Sequence, residues 1–458
     1  MITVSLKQLS NLLNGYLIGK DLKISDVSTD SRSVVRDALF VALVGKNFDA
    51  NDFVYQAVGK GAKALLVNKP FNVSVPQLVV RDTTLALGQL GAWVHQNCGM
   101  PTVAITGSCG KTTVKEMLVN ILLKQGRVLF TIGNFNNEIG VPMTLLRSTP
   151  QDDYAVIELG SNHIGEIAYT VSLVQPDIAL VNNVGAAHLE GFGSIEGVKC
   201  AKGEIYQGLK SGSVAIVNLD SNGGQCWEPF LLDKKVITFS KHNKNADVYA
   251  SRITLDIDGK AQFCLHTPQG TCDIQLSVVG KHNVSNALAA SSLALQFGID
   301  LSEIRCGLLR LVKVKGRVEL IKLTEKIKLI DDTYNASVPS MKASVDLLGV
   351  FEGLRWLILG NMTELGSESL TLHRQVGEYA ASFNFEYVLT YGSDVKLISD
   401  ICHGLHFDTY GNMVTYIKHK IEKHNDKRHT LLFKGANSVE MNKLVLLLRR
   451  SINAHLAF

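Results

Sequence analysis

Val103-Ala104-Ile105-Thr106-Gly107-Ser108-Cys109-Gly110-Lys111-Thr112-Thr113 runs directly into Val114-Lys115-Glu116-Met117-Leu118. An apolar strand enters a glycine-bearing turn, and a helix begins where the turn ends. Such a turn suits phosphate: glycines let backbone N–H groups close around oxygens, and the helix N-terminus favours negative charge. Lys111 is placed to reach β- and γ-phosphates, and the Thr112 hydroxyl is a Mg²⁺ ligand of the kind these loops supply. The candidate nucleotide-binding residues are therefore Thr106, Gly107, Ser108, Cys109, Gly110, Lys111, Thr112 and Thr113. The loop reads G-x-x-G-K-T from Gly107, two residues short of the common G-x-x-x-x-G-K-T.

Phosphate chemistry of this type also needs a carboxylate at the end of a neighbouring strand. Tyr154-Ala155-Val156-Ile157-Glu158 supplies one, followed by Gly160, Ser161, Asn162 and His163. Ile178-Ala179-Leu180-Val181 runs in the same way into Asn182, Asn183 and His188, and ligands gather at the carboxyl ends of parallel strands. Lys202, in Val198-Lys199-Cys200-Ala201-Lys202-Gly203-Glu204, reads on residue physics alone as a solvated helix lysine paired with Glu204 or Glu196.

Outward from this centre, the pattern of short apolar runs divides the chain into residues 1–83, 84–313 and 314–458. The first block holds strand-like Ala38–Leu43 and Ala62–Asn68. The middle block opens on a helical pattern at Thr83–Leu90, then alternates strands at Thr102–Ile105, Tyr154–Glu158 and Ile178–Val181 with helices. The last block has strands at Ile327–Ile330, Trp356–Leu359, Tyr387–Thr390 and His429–Phe433, again with helices between. That alternation predicts α/β architecture throughout: a small α/β N-terminal domain, a central mononucleotide-binding domain on a mostly parallel sheet, and a Rossmann-like C-terminal domain. The basic stretch Lys418–Arg428 reads as the solvated face of a helix.

Composition narrows the class. The chain has 458 residues, 46% of them hydrophobic, with a net charge of +4, which excludes disorder and argues against a dedicated nucleic-acid binder. No apolar run approaches the ~20 residues that span a bilayer, and Met1–Gly15 lacks the form of a signal peptide. The eight cysteines form no C-x-x-C pair and read as reduced thiols. These features together predict a soluble, cytoplasmic protein without membrane insertion.

The ordered motifs carry a resemblance that covers essentially the whole chain. They are Thr29-Asp30-Ser31-Arg32, Phe48-Asp49-Ala50-Asn51-Asp52-Phe53, the phosphate loop, Gly133–Pro142, Glu158-Leu159-Gly160 and His188–Gly193. Ala201–Glu204, Gly280–Ala287, Lys315-Gly316-Arg317 and Asp331–Ala336 continue the series. In these residues the chain resembles the Mur ligases, where the short phosphate loop is the normal form. Four places depart from the family pattern: Cys109, Ser337, Asn361, and Ala436-Asn437 where Ser-Arg is usual.

The resemblance implies an ATP-driven amide ligation. The terminal carboxylate of a UDP-N-acetylmuramoyl tripeptide would become an acyl phosphate, and the amine of D-alanyl-D-alanine would displace phosphate from it. The Asn134–Pro142 and His188–Gly193 motifs favour the dipeptide-adding member over the sibling that adds the third stem residue, as does the lack of an Asp-Asn-Pro-Arg segment. By the resemblance Lys111, His188, Lys202 and Arg317 are catalytic. Thr112 and Glu158 would hold one Mg²⁺, and His188 a second, supported by Lys202 carbamylated with CO₂. Asn283 and Asn286 would approach the base, Arg317 the γ-phosphate and Asp332 the ribose. Thr29, Asp30, Ser31, Arg32, Phe48 and Asp49 would face the uridine nucleotide. A monomer is expected.

Overall fold

The computed structural model describes residues 1–45, 48–310 and 315–456, with side chains to residue 452. Three separate sheets carry the architecture. The N-terminal sheet has five strands in the spatial order Tyr16–Ile18, Gln77–Val79, Ala64–Val67, Leu39–Val41, Val27–Ser28. Only the first pairing is antiparallel. Alternation along these strands sends Leu39, Val41, Leu66 and Leu78 to one buried face and Phe40, Leu65, Val67 and Val79 to the other. The helix predicted over Thr83–Leu90 continues to Cys98, capped by Asp82, whose side chain accepts from the Thr84 and Leu85 amides. It packs Ala86, Leu87, Leu90 and Val94 into the N-terminal core and Ala92 into the central one, joining the two.

The central sheet has nine strands. Their order is Val128–Phe130, Tyr154–Glu158, Thr102–Thr106, Ile178–Val181, Val214–Asn218, Lys235–Ser240, Val248–Leu255, Lys260–Thr267, Gly270–Val279. The first seven are mutually parallel and the last two pairings antiparallel. Register sets Ile105 opposite Glu158 and Thr106 opposite Val181, so three carboxyl ends meet at one edge. Helix Lys111–Leu122 lies on one face through Val114, Met117, Leu118 and Ile121, an i, i+3, i+4, i+7 stripe against Val103, Ile105 and Val156. Helix Ile195–Gln207 covers the opposite face with Ile205 and Tyr206. Each fully buried aliphatic of this kind contributes ~1.5–3 kcal/mol.

The C-terminal sheet has six strands in the order Glu319–Lys322, Ile327–Asp332, His429–Lys434, Leu354–Gly360, Tyr387–Tyr391, Leu405–Phe407. All pairings but the first are parallel, with helices on both faces, which is the doubly wound arrangement expected. The expected boundary at 313/314 lies outside the described residues. Lys418–Arg428 falls mostly on helix Tyr410–Lys423, which buries Met413, Ile417 and Ile421 and turns its lysines outward. All eight cysteines are free.

Candidate active site

Gly107 and Gly110 build the loop because nothing larger fits their backbone. Gly107 has φ 146° and Gly110, the helix N-cap, φ 77°. A Cβ on Gly110 would stand 2.5 Å from Asn286 Oδ1 and 2.7 Å from Asn182 Nδ2. The loop is held from the neighbouring strand end. Asn183 Oδ1 accepts from the Cys109 amide at 2.8 Å, while Asn182 Nδ2 and Asn183 Nδ2 both donate to the Cys109 carbonyl at 2.9 Å. Ser108 Oγ donates to the Gly185 carbonyl at 3.1 Å. Lys111 Nζ folds back to the Gly107 carbonyl at 2.7 Å, and burial pushes its ammonium below the ordinary lysine range.

Glu158 is buried at the end of its strand. Its Oε2 accepts from the Thr112 hydroxyl at 2.9 Å and its Oε1 from Asn136 Nδ2 at 2.8 Å. Thr112 and Glu158 thus meet at the strand end, and Lys111 lines the same cavity. Asn286 contacts the loop through Asn182 Nδ2 at 3.0 Å and donates to Asn283 Oδ1 at 2.8 Å. Asn283 is buried behind it, donating to the Val279 carbonyl.

Lys202 is the largest departure from residue physics. It is 2% exposed, its Nζ donates to Ser161 Oγ at 2.9 Å, and it lies 5.2 Å from the Phe192 ring centroid. Burial, with nearby Lys111, pushes it well below the ordinary lysine range. The solvated-lysine reading is corrected: Glu204 instead accepts from the Gly165 and Ala168 amides, and Glu196 pairs with Lys199. The helix turns this one side chain inward because Val198, Ala201 and Ile205 pack on the same side.

The C-terminal domain closes the site from across the cleft. Arg317 stacks its guanidinium 3.9 Å from the Tyr334 ring, and its Nε is buried without a partner. Asp332 accepts from Lys434 Nζ at 2.6 Å and from Ser344 Oγ at 2.8 Å. Ser337 Oγ lies 3.1 Å from Cys109 Sγ. His188 pairs through Nδ1 with Glu364, and burial pushes its imidazole down while Glu364 acts the other way. Burial also holds His282 at about 4.

Ser108 to Thr113, Glu158, His188, Asn286, Arg317 and Asp332 all line one cavity of ≈ 1140 Å³. Thr106, Gly107, Asn283 and Lys202 stand behind its wall, Lys202 reaching it only through Ser161. Thr29, Asp30, Ser31, Arg32, Phe48 and Asp49 lie off this cavity, on the N-terminal domain. There Arg32 clasps Asp30 and holds its carboxyl down at about 2. Phe48 stacks on Phe53 at 5.5 Å, and Asp49 caps the Asn51 amide. Sequence reasoning gave no role to Ser161, Asn136, Asn182, Asn183, Glu364 or Lys434. Each except Glu364 and Lys434 lies inside a motif already quoted, and its partner is far away in sequence.

Among the described residues no three His, Cys, Asp or Glu side chains cluster as a metal cage. Thr112 with Glu158 is instead the sparse donor set Mg²⁺ uses when substrate phosphates complete its shell. The unpaired Arg317 Nε and the shifted Lys111 fit an anionic polyphosphate in the cavity.

A short glycine loop, a strand-end carboxylate and a buried lysine on the central one of three α/β domains define the class. The chain belongs to the Mur ligase family. The Mur ligase catalytic domain model matches residues 23–92, the Mur ligase middle domain 105–294, and the Mur ligase glutamate ligase domain 316–437. Within that family the resemblance falls on one member. The UDP-N-acetylmuramoyl-tripeptide--D-alanyl-D-alanine ligase of Escherichia coli K12 is 47% identical over 98% of this chain and 99% of its own. A crystal structure of MurF from Acinetobacter baumannii superposes with TM-score 0.93 at 36% identity, covering 98% of this chain and 99% of that one. MurF ligase from Thermotoga maritima in complex with ADP superposes at 0.83 and 25% identity, covering 94% and 98%.

Proposed function

We infer that this chain is an ATP- and Mg²⁺-dependent amide ligase joining D-alanyl-D-alanine to UDP-N-acetylmuramoyl tripeptide, a step of peptidoglycan precursor synthesis. The end-to-end match at 47% identity to a ligase of that name carries the reading. A carboxylate is a poor electrophile, so its oxygen first attacks the γ-phosphorus of ATP and ADP leaves. The amine then attacks the acyl phosphate carbon, loses its proton, and phosphate departs from the tetrahedral intermediate.

The roles are those the family resemblance implies, and the geometry supports them. Lys111 and Arg317 balance the charge that spreads over the transferring phosphoryl oxygens. Asn182, Asn183 and Asn286 hold the loop open to its ligand. Asn283 positions Asn286 near the base, and Asp332, fixed by Lys434, holds the ribose. Thr112 and Glu158 would hold one Mg²⁺, and His188 with Lys202 a second, and these ions would supply further charge neutralisation. Lys202 serves this second position as a carbamate: its neutral amine adds to CO₂, forms the N–C bond and releases a proton. Two oxygens then replace an ammonium that would repel the ion. The low pKa direction of Lys202 and its single hydrogen bond support this.

Thr29, Asp30, Ser31, Arg32, Phe48 and Asp49 bind the uridine nucleotide. The domains divide at residues 83/84 and 313/314, and the protein works as a cytoplasmic monomer. No helix among the described residues is long and apolar enough to cross a membrane. Phosphate release from ATP that requires both the UDP-tripeptide and D-alanyl-D-alanine is the expected result. Release with a single amino acid in place of the dipeptide, or none with the dipeptide, overturns the reading.

A further inference from the structure

His188 and Glu364 come from different domains. His188 ends the loop after strand Ile178–Val181 of the central sheet, and Glu364 follows strand Leu354–Gly360 of the C-terminal sheet. Both hold left-handed backbone, at φ 55° and φ 60°. Neither is glycine, so each conformation is strained and persists only where its surroundings impose it. Here the two loops impose it on each other. The Glu190 amide donates to the Glu364 carbonyl at 3.1 Å, and His188 Nδ1 meets the Glu364 carboxylate.

A carboxylate only accepts hydrogen bonds, so a neutral His188 carries its proton on Nδ1 and keeps the lone pair on Nε2. Histidines that bind metals are oriented in this way, by a carboxylate on the other ring nitrogen. We propose that Glu364 is a positioning residue that fixes His188 with Nε2 free for a divalent cation, and that it does so from the C-terminal domain. The proposal deepens the ligase reading above and rests on it. An acyl phosphate exposed to water is lost to hydrolysis, so it is useful only when the C-terminal domain is docked. His188 has its carboxylate partner only in that docked state, because no residue of the central domain pairs with its ring among the described residues. Completion of the phosphoryl-transfer site is thereby tied to closure of the cleft.

The ring-nitrogen NMR shifts of His188, in the full chain without substrate or metal, read the tautomer directly. The parent protein should show the Nδ1–H form. Glu364→Ala should lose that preference, and Glu364→Gln, whose amide oxygen still accepts, should keep it. A Mn²⁺ titration followed by electron paramagnetic resonance, with a non-hydrolysable ATP analogue present, gives the second readout. Glu364→Ala should weaken one of the bound ions about 10–100-fold, the range for such outer carboxylates, and Glu364→Gln should recover most of it. Glu364→Asp keeps the charge but falls one methylene short of the ring, so it should match Glu364→Ala, and it serves if that variant folds poorly. The backbone bond from Glu190 survives all three substitutions, so a purely structural role moves neither readout. Parental ring shifts and parental Mn²⁺ affinity in Glu364→Ala and Glu364→Asp overturn the proposal. The ring shifts need no turnover, so they judge Glu364 separately from the phosphate-release assay that judges the ligase reading.

Discussion

The loop of Lys111 and the helix of Lys202 place two lysines, one half-buried and one buried, by opposite means. Lys111 is held by its own turn, four residues back at the Gly107 carbonyl, on a segment whose glycines announce what it does. Lys202 sits three residues beyond Lys199, which pairs with Glu196, on a helix without the glycines of a phosphate loop, and its partner Ser161 is 41 residues away. Local chemistry shapes the first and packing shapes the second. A side chain turned inward by Val198, Ala201 and Ile205 loses water, and burial then pushes its ammonium well below the ordinary lysine range. Position creates the reactivity there.

The sharpest break of this comparison is Lys111→Ala, which removes the cation balancing the phosphoryl charge. A loss of about 10³-fold in kcat/KM is expected, of the order seen when a charge-stabilising donor is deleted. Steady-state phosphate release measures it. Lys202→Ala should cost about 10²-fold and recover part of that in acetate or another small carboxylate, which can stand where the carbamate oxygens stood. Lys202→Arg should be equally slow and gain nothing from acetate, because a guanidinium keeps the positive charge. Near-normal turnover of Lys202→Ala without acetate breaks the carbamate reading, and labelled bicarbonate giving no carbamate signal breaks it independently.

His95 tests whether burial alone sets protonation away from the cavity. Its ring lies 2.9 Å from Ser148 Oγ and 3.0 Å from Thr102 Oγ1, and burial depresses its pKa from 6.5 to about 4. The unfolded chain takes up a proton below about pH 6.5 that the folded protein refuses until about pH 4, so stability falls as pH drops through that window. The loss is roughly 3 kcal/mol at its low end, read as a falling urea midpoint, and His95→Gln should flatten it. The smallest effect is expected at Cys109. Serine keeps the backbone bonds to Asn182 and Asn183 and still reaches Ser337, so Cys109→Ser should hold kcat/KM within about 2-fold, under 0.5 kcal/mol. A large loss there means the thiol itself contacts the nucleotide.

Periodicity made most of the parallel sheets readable, since Thr102–Thr106, Tyr154–Glu158 and Ile178–Val181 are continuous apolar runs buried on both faces. The antiparallel end of the central sheet was not read. Val248–Leu255 is buried at alternate positions only near its start, and its register shifts between Ser251 and Thr254, which blurs a period of two. The phosphate loop was legible for a different reason: its glycines and lysine act on one another within five residues. Asn182 and Asn183 were visible as a strand end, but their grip on Cys109 was not, because parallel register rather than sequence brings them there.

The amino-acid sequence by itself determined the α/β class, the phosphate loop, Glu158 at its strand end and membership in a ligase family through ordered motifs. Short-range rules govern the first three of these: glycine's backbone freedom, strand and helix periods, and spacing along the chain; the family membership rests on the resemblance of the motifs. Only the tertiary structure decided that Lys202 is buried and unpaired by acid, that Asp332 is held by Lys434, and that His188 meets a carboxylate of another domain. Those facts depend on which surfaces exclude water and which loops meet across a cleft. Burial and distance are properties of the packed chain, so no local window of residues contains them.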